Sequence, residues 1–114
     1  MQRVGIVTAD HAARPGPVLA ARAGDKLRRG RRDTEWPGWI WCENEEGVGG
    51  WAPESFLEGA GEWVVLRRDY DATELSVSTG ERLLLGQEVL GWWWAKAESG
   101  EEGWVPAGKI TVNG

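Results

Sequence analysis

Gly50-Trp51-Ala52-Pro53 and Gly103-Trp104-Val105-Pro106 carry one four-residue signature at an offset of 53, and Gly38-Trp39-Ile40-Trp41-Cys42 stands to Gly91-Trp92-Trp93-Trp94-Ala95 at that same offset. Moving toward the N-terminus, Leu19 to Leu27 aligns with Leu75 to Leu83 at an offset of 56, and Asp10-His11-Ala12-Ala13 with Asp69-Tyr70-Asp71-Ala72 at an offset of 59. Each change of offset marks a three-residue extension of the first copy. One lies at Arg14-Pro15-Gly16-Pro17. The other lies between Gly30 and Gly38, where charge and a proline read as a loop, the usual home of insertions. The chain is therefore an internal duplication. Residues 1–58 and 63–114 are expected to be its two domains, joined by the short linker 59–62.

Within each copy no window places apolar residues at helical spacing without an intruding Gly or Pro. Short alternating runs such as Arg82-Leu83-Leu84-Leu85 and Ile40-Trp41-Cys42 lie between glycine-rich turns instead, which is the pattern of short β-strands. An all-β fold is predicted. A unit of this size buries only about 60% of its unfolded surface. The nine tryptophans supply large apolar area for such small cores.

From Val65 to Val112 the second copy resembles an SH3 domain. Asp69-Tyr70-Asp71-Ala72 is similar to the end of the family's Ala-Leu-Tyr-Asp-Tyr opening, Glu74-Leu75-Ser76-Val77 to its Glu-Leu-Ser-Phe, and Gly80-Glu81 to its Gly-Asp turn. Trp92-Trp93 and Gly103-Trp104-Val105-Pro106 follow in the family's order. The first copy is a more divergent version. The resemblance implies two tandem SH3-like, five-stranded, partly open barrels, each with an aromatic groove that takes an extended, proline-rich or other peptide segment. Carried over by position, the site of the second copy is Tyr70, Trp92 and Pro106 with the acids Asp71 and Glu74. That of the first is His11, Trp39, Pro53 and Phe56. Arg68 and Ala9 stand where the family has its first groove tyrosine, and Lys109 where it has its last. Trp41, Trp51, Trp93 and Trp104 alternate with the groove positions and are read as packing residues.

Composition bounds the partners. The formal net charge is −5, with −1 in residues 1–58 and −4 in 59–114, so no general attraction to nucleic acid or anionic membrane is expected. Lys26 to Arg32 is the one basic run. It reads as a solvated strand edge, where cations discourage stray strand pairing; tracking a nucleic-acid backbone with Trp36 stacked on a base and docking on the acidic second copy are the alternatives. No signal peptide and no membrane-spanning run is seen, and Cys42 has no disulfide or zinc partners, so a cytoplasmic protein is expected. His11 beside Asp10, with Ser55, Ser76, Ser78 and Ser99 elsewhere, comes with no Gly-x-Ser-x-Gly elbow. No catalysis, metal or cofactor is expected. The overall expectation is a protein- or peptide-binding adaptor module, monomeric or weakly dimeric. The alternatives are a self-association module without a peptide ligand and a bacterial SH3-like domain that binds cell-wall peptides.

Overall fold

Along Arg82–Val89 the side chains of Leu83 and Leu85 are buried while Arg82 and Leu84 face solvent, the period of two that a strand with one wet face requires. The same alternation runs through Trp63–Leu66, where Val64 and Leu66 are buried. The computed structural model describes residues 3–113, and over them the fold is all-β. In chain order the strands are β1 (Arg3–Val7), β2 (Ala20–Ala21), β3 (Lys26–Arg32), β4 (Trp39–Glu43), β5 (Gly49–Pro53), β6 (Leu57–Glu58), β7 (Trp63–Leu66), β8 (Tyr70–Asp71), β9 (Arg82–Val89), β10 (Trp92–Ala97), β11 (Glu102–Pro106) and β12 (Ile110–Asn113). Single 3-10 turns at Glu54–Phe56 and Ala107–Lys109 precede β6 and β12. Among the described residues no helix is long and apolar enough to cross a membrane.

The strands form two five-stranded sheets, ordered β11-β10-β9-β1-β12 and β5-β4-β3-β7-β6, and a two-stranded ribbon of β2 and β8. All pairings within these sheets are antiparallel. The chain accordingly divides into two compact units. Unit 2 runs from Gly16 to Ala72; unit 1 takes the residues up to Pro15 and those from Thr73 onward. The contiguous division into 1–58 and 63–114 is therefore not that of the folded chain. Each unit draws its first strand and the start of the following loop from the other copy, and unit 2 is nested within the sequence of unit 1.

The cause is local. Residues 59–62 turn β6 directly into β7, pairing Leu57 with Leu66 and Glu58 with Val65. A connection this short is a hairpin loop rather than an interdomain linker. Closing it costs less chain entropy than bringing β1 back across the whole first copy. With β7 seated beside β3, β1 is left to pair with β9 and β12. The two first strands then make matching bonds. The Gly24 N–H donates to the Leu66 carbonyl and the Gly80 N–H to the Val7 carbonyl, both at 2.7 Å. The Ala23 N–H donates to the Asp69 carboxylate at 2.9 Å and the Thr79 N–H to that of Asp10 at 2.7 Å.

The repeated Gly-Trp-x-Pro signature has a packing reason. A Cβ at Gly103 would lie 2.8 Å from the Glu74 carbonyl carbon, and one at Gly50 would lie 2.6 Å from the Ala72 Cβ. Only glycine lets the loop backbone cross β5 and β11 so closely. In unit 1 Val7, Leu75, Val77, Leu83, Leu85, Trp93, Ala95, Val105 and Ile110 form one buried cluster, so the N-terminal strand contributes to a core built mostly from the second copy. In unit 2 Leu19, Leu27, Ile40, Cys42, Leu57, Val64 and Leu66 are buried.

The basic run is likewise placed differently from expectation. β3 is a central strand, flanked by β4 and β7, because the hairpin has filled the edge beside it. Its cations are used inside unit 2. Arg29 and Arg32 reach Glu54 at 3.1 and 2.7 Å, Arg28 reaches Glu62 at 3.4 Å, and Arg28 and Lys26 lie over the Trp63 ring at 5.3 and 5.9 Å.

Nesting predicts which fragment folds. A fragment spanning 16–72 carries every strand of unit 2 and should give dispersed amide NMR signals and a cooperative melt, whereas 63–114 lacks β1 and should not. Cooperative folding of 63–114 with failure of 16–72 would restore the contiguous division.

Candidate functional site

Strand exchange re-sorts the candidate groove residues. Unit 1 holds His11, Glu74, Trp92 and Pro106; unit 2 holds Trp39, Pro53, Phe56, Tyr70 and Asp71. Tyr70 and Trp92, expected in one site, lie in different units, as do His11 and Trp39. The reason is that Tyr70 and His11 follow β7 and β1, the two strands that change places.

In unit 1, β10 and β11 pair Trp92 with Pro106, and the loop after β1 brings His11 to Trp92. Their rings meet edge to face, centroids 5.6 Å apart. A backbone bridge between His11 and Val77 ties down the main chain that carries the imidazole. Its Nε2 lies 2.8 Å from Glu74 Oε1. A carboxylate oxygen only accepts, so Nε2 carries the proton of this bond. In the neutral ring Nδ1 is then an acceptor. Trp92 itself is half-buried, its indole only partly withdrawn from solvent. Lys109 Nζ donates to the Asp10 carbonyl at 3.0 Å, so the lysine in the last groove-tyrosine position braces the loop that carries His11. The Thr79 N–H and hydroxyl both bind the Asp10 carboxylate and hold its pKa below the ordinary 3.8.

In unit 2 the corresponding aromatics are packed away. Trp39 is 4% exposed, Tyr70 5% and Phe56 7%, and Pro53 is fully buried. Phe56 and Tyr70 meet edge to face at 5.6 Å. The Tyr70 hydroxyl donates to the Trp51 carbonyl. Arg68 lays its guanidinium 4.4 Å from the Phe56 centroid. The position expected to carry an exposed groove ring, Trp39, is thus a core residue. Asp71 is exposed in the β2–β8 ribbon, opposite Ala20.

The four tryptophans read as packing residues divide in two. Trp93 and Trp104 are 7% and 6% exposed. Trp41 and Trp51 are half-buried and meet edge to face at 5.2 Å, an arrangement repeated by Trp94 and Trp104 at 5.4 Å. One residue escaped the sequence reading altogether. Leu90, in the turn between β9 and β10 and two residues from Trp92, is 48% exposed with φ of 47°, the only non-glycine residue with positive φ among those described. With Gly91 at φ 90° it forms a turn that favours Asn-Gly. A leucine there exposes an apolar side chain and strains its own backbone.

No group of His, Cys, Asp and Glu suited to a metal ion occurs among the described residues. Cys42 is a free, buried thiol, and burial pushes its pKa from 9.0 up to about 11 against a small opposing effect of Arg29. Comparison of the chain with protein-family models, with curated proteins and with solved structures finds no match.

The raised Cys42 pKa predicts an inert thiol. Iodoacetamide at pH 8 should label the native protein far more slowly than the chain in denaturant. Because the folded state holds this proton more tightly, stability should fall as pH rises from 9 through about 11. Equal labelling rates in the two states would contradict the burial.

Proposed function

We propose that this chain is a non-catalytic module that holds an extended peptide segment of another protein, and that unit 1 does the holding. On this reading both units are SH3-like barrels, which the ordered landmarks of the repeat and the five-stranded sheet of each unit support. One observation carries the choice of unit. Trp92 is half-buried beside a pre-positioned histidine, whereas its counterpart Trp39 is 4% exposed.

The chemistry follows from the side chains. The Trp92 ring and Pro106 supply flat apolar area for an extended, proline-rich or other apolar segment, a conformation whose ordering entropy is largely spent before binding. In the neutral imidazole His11 Nδ1 is an acceptor for a ligand N–H. Leu90 extends the apolar surface along the same hairpin. Arg68 occupies the face of Phe56 in unit 2, so that unit serves as scaffold. A reducing compartment such as the cytoplasm suits the single buried thiol.

NMR titration of the intact chain with pooled proline-rich and other extended peptides should shift the Trp92, His11 and Leu90 signals saturably and leave Trp39 unmoved. Trp92→Ala should weaken binding by about 30-fold or more, the scale of losing one anchoring aromatic, with the amide spectrum otherwise retained. Shifts centred on Trp39 and Tyr70, or unfolding of Trp92→Ala, would contradict this assignment. Leu90→Asn should separate function from strain. It is expected to raise stability by about 1 kcal/mol, since asparagine tolerates the left-handed region, while lowering peptide affinity.

A further inference from the structure

The slots that receive β1 and β7 offer the same backbone. Leu83 faces Gly5 as Leu27 faces Val64, and Ile110 faces Val7 as Leu57 faces Leu66. Over these shared registers hydrogen bonding does not distinguish the two strands, although β1 pairs over more residues than β7, and side-chain fit is a second means of deciding which enters which unit. The short turn at 59–62 biases β7 toward unit 2, but it places no condition on what β1 must look like.

The side chains supply that condition. Gly5 is buried, and a Cβ at that position would lie 2.6 Å from Ile110 Cγ2 and 2.9 Å from Leu85 Cδ1, closer than Cβ contacts occur. The equivalent residue of β7 is Val64, 1% exposed. Unit 2 has Leu57 in the place of Ile110 and Arg29 in the place of Leu85, and Arg29 directs its guanidinium to Glu54 at 3.1 Å. Unit 1 thus fills the centre of its slot from the receiving strands, β9 and the start of β12. Unit 2 fills it from the incoming strand.

We infer that Gly5 and Val64 form a steric key that assigns each first strand to its unit. Valine in the slot closed by Ile110 and Leu85 would force their methyl groups to shift. Glycine in the other slot would leave the volume of an isopropyl group empty, and tightly packed interiors penalise both errors. The exchange of first strands is specified on both sides, and the recombined groove of unit 1 depends on it, because β1 leads directly to His11.

The test is a coupling measurement on the full chain, read by amide hydrogen exchange resolved to single residues. Gly5→Val should speed exchange at Leu83, Leu85 and Thr111 at least tenfold while leaving Leu27 and Ile40 in unit 2 unchanged. Ile110→Ala alone should also weaken unit 1. Combined with Gly5→Val it should restore part of the lost protection, because it removes the Cγ2 that the new side chain meets. Val64→Gly should speed exchange in unit 2 alone. If Gly5→Val does not fold, Gly5→Ala with and without Ile110→Ala makes the same comparison. Unchanged protection in Gly5→Val, or a double variant no better protected than Gly5→Val, would overturn the key.

Discussion

The turn at residues 59–62 is the constraint on which the rest of this structure depends. Its length favours folding the strand that follows it back on the strand before it, and β7 pairs with β6 and with β3. A duplicated chain with a longer link would have been free to keep each first strand in its own copy. Here the hairpin forms between neighbours in sequence at small entropic cost, and β1 completes the sheet that the hairpin left one strand short. Nesting thus follows from loop length acting on two copies whose strand slots share their central registers.

That exchange determines the chemistry of both candidate sites. The residues that follow a first strand travel with it, so His11 arrives beside Trp92 and Tyr70 beside Phe56. In unit 2 the tyrosine hydroxyl and the Arg68 guanidinium satisfy the local aromatic surface from within. In unit 1, Ala9 and Lys109 stand in place of Arg68 and Phe56; an alanine has no cation to lay on a ring, and the lysine binds a backbone carbonyl. The two units thus differ at one position, where Trp39 is buried and Trp92 half-buried. The proposed division into scaffold and binding unit rests on that difference, and the strained, exposed Leu90 lies on the binding side of it.

Much of this was legible in the sequence and one decisive element was not. Period-two runs such as Arg82 to Leu85 give the strands directly. The Gly-Trp-x-Pro signature marks β5 and β11, where the glycine is required by the closeness of Ala72 and Glu74. Equivalent candidate aromatics sit at equivalent strand positions of the two units, Trp39 opposite Pro53 and Trp92 opposite Pro106. Their grouping was illegible because a repeat records which residues are equivalent and carries no record of which copy pairs with which. The signals existed, but they were small: a connector of hairpin length, and a glycine in β1 where β7 has valine. Trp39 illustrates a second limit. A ring at a groove position is exposed only if its neighbours leave it so, and Trp39 is 4% exposed.

The most direct test of this account is an aromatic-resolved NOESY spectrum of the intact protein, supplemented by cross-strand amide contacts. The account predicts cross-peaks between the His11 and Trp92 rings and between Tyr70 and Phe56, together with backbone contacts from Ile6 to Thr111 and from Leu27 to Val64. Cross-peaks between Tyr70 and Trp92, with β1 contacting Leu27 in place of Leu83, would show that each copy keeps its own first strand and would contradict both the nested fold and the site built on it.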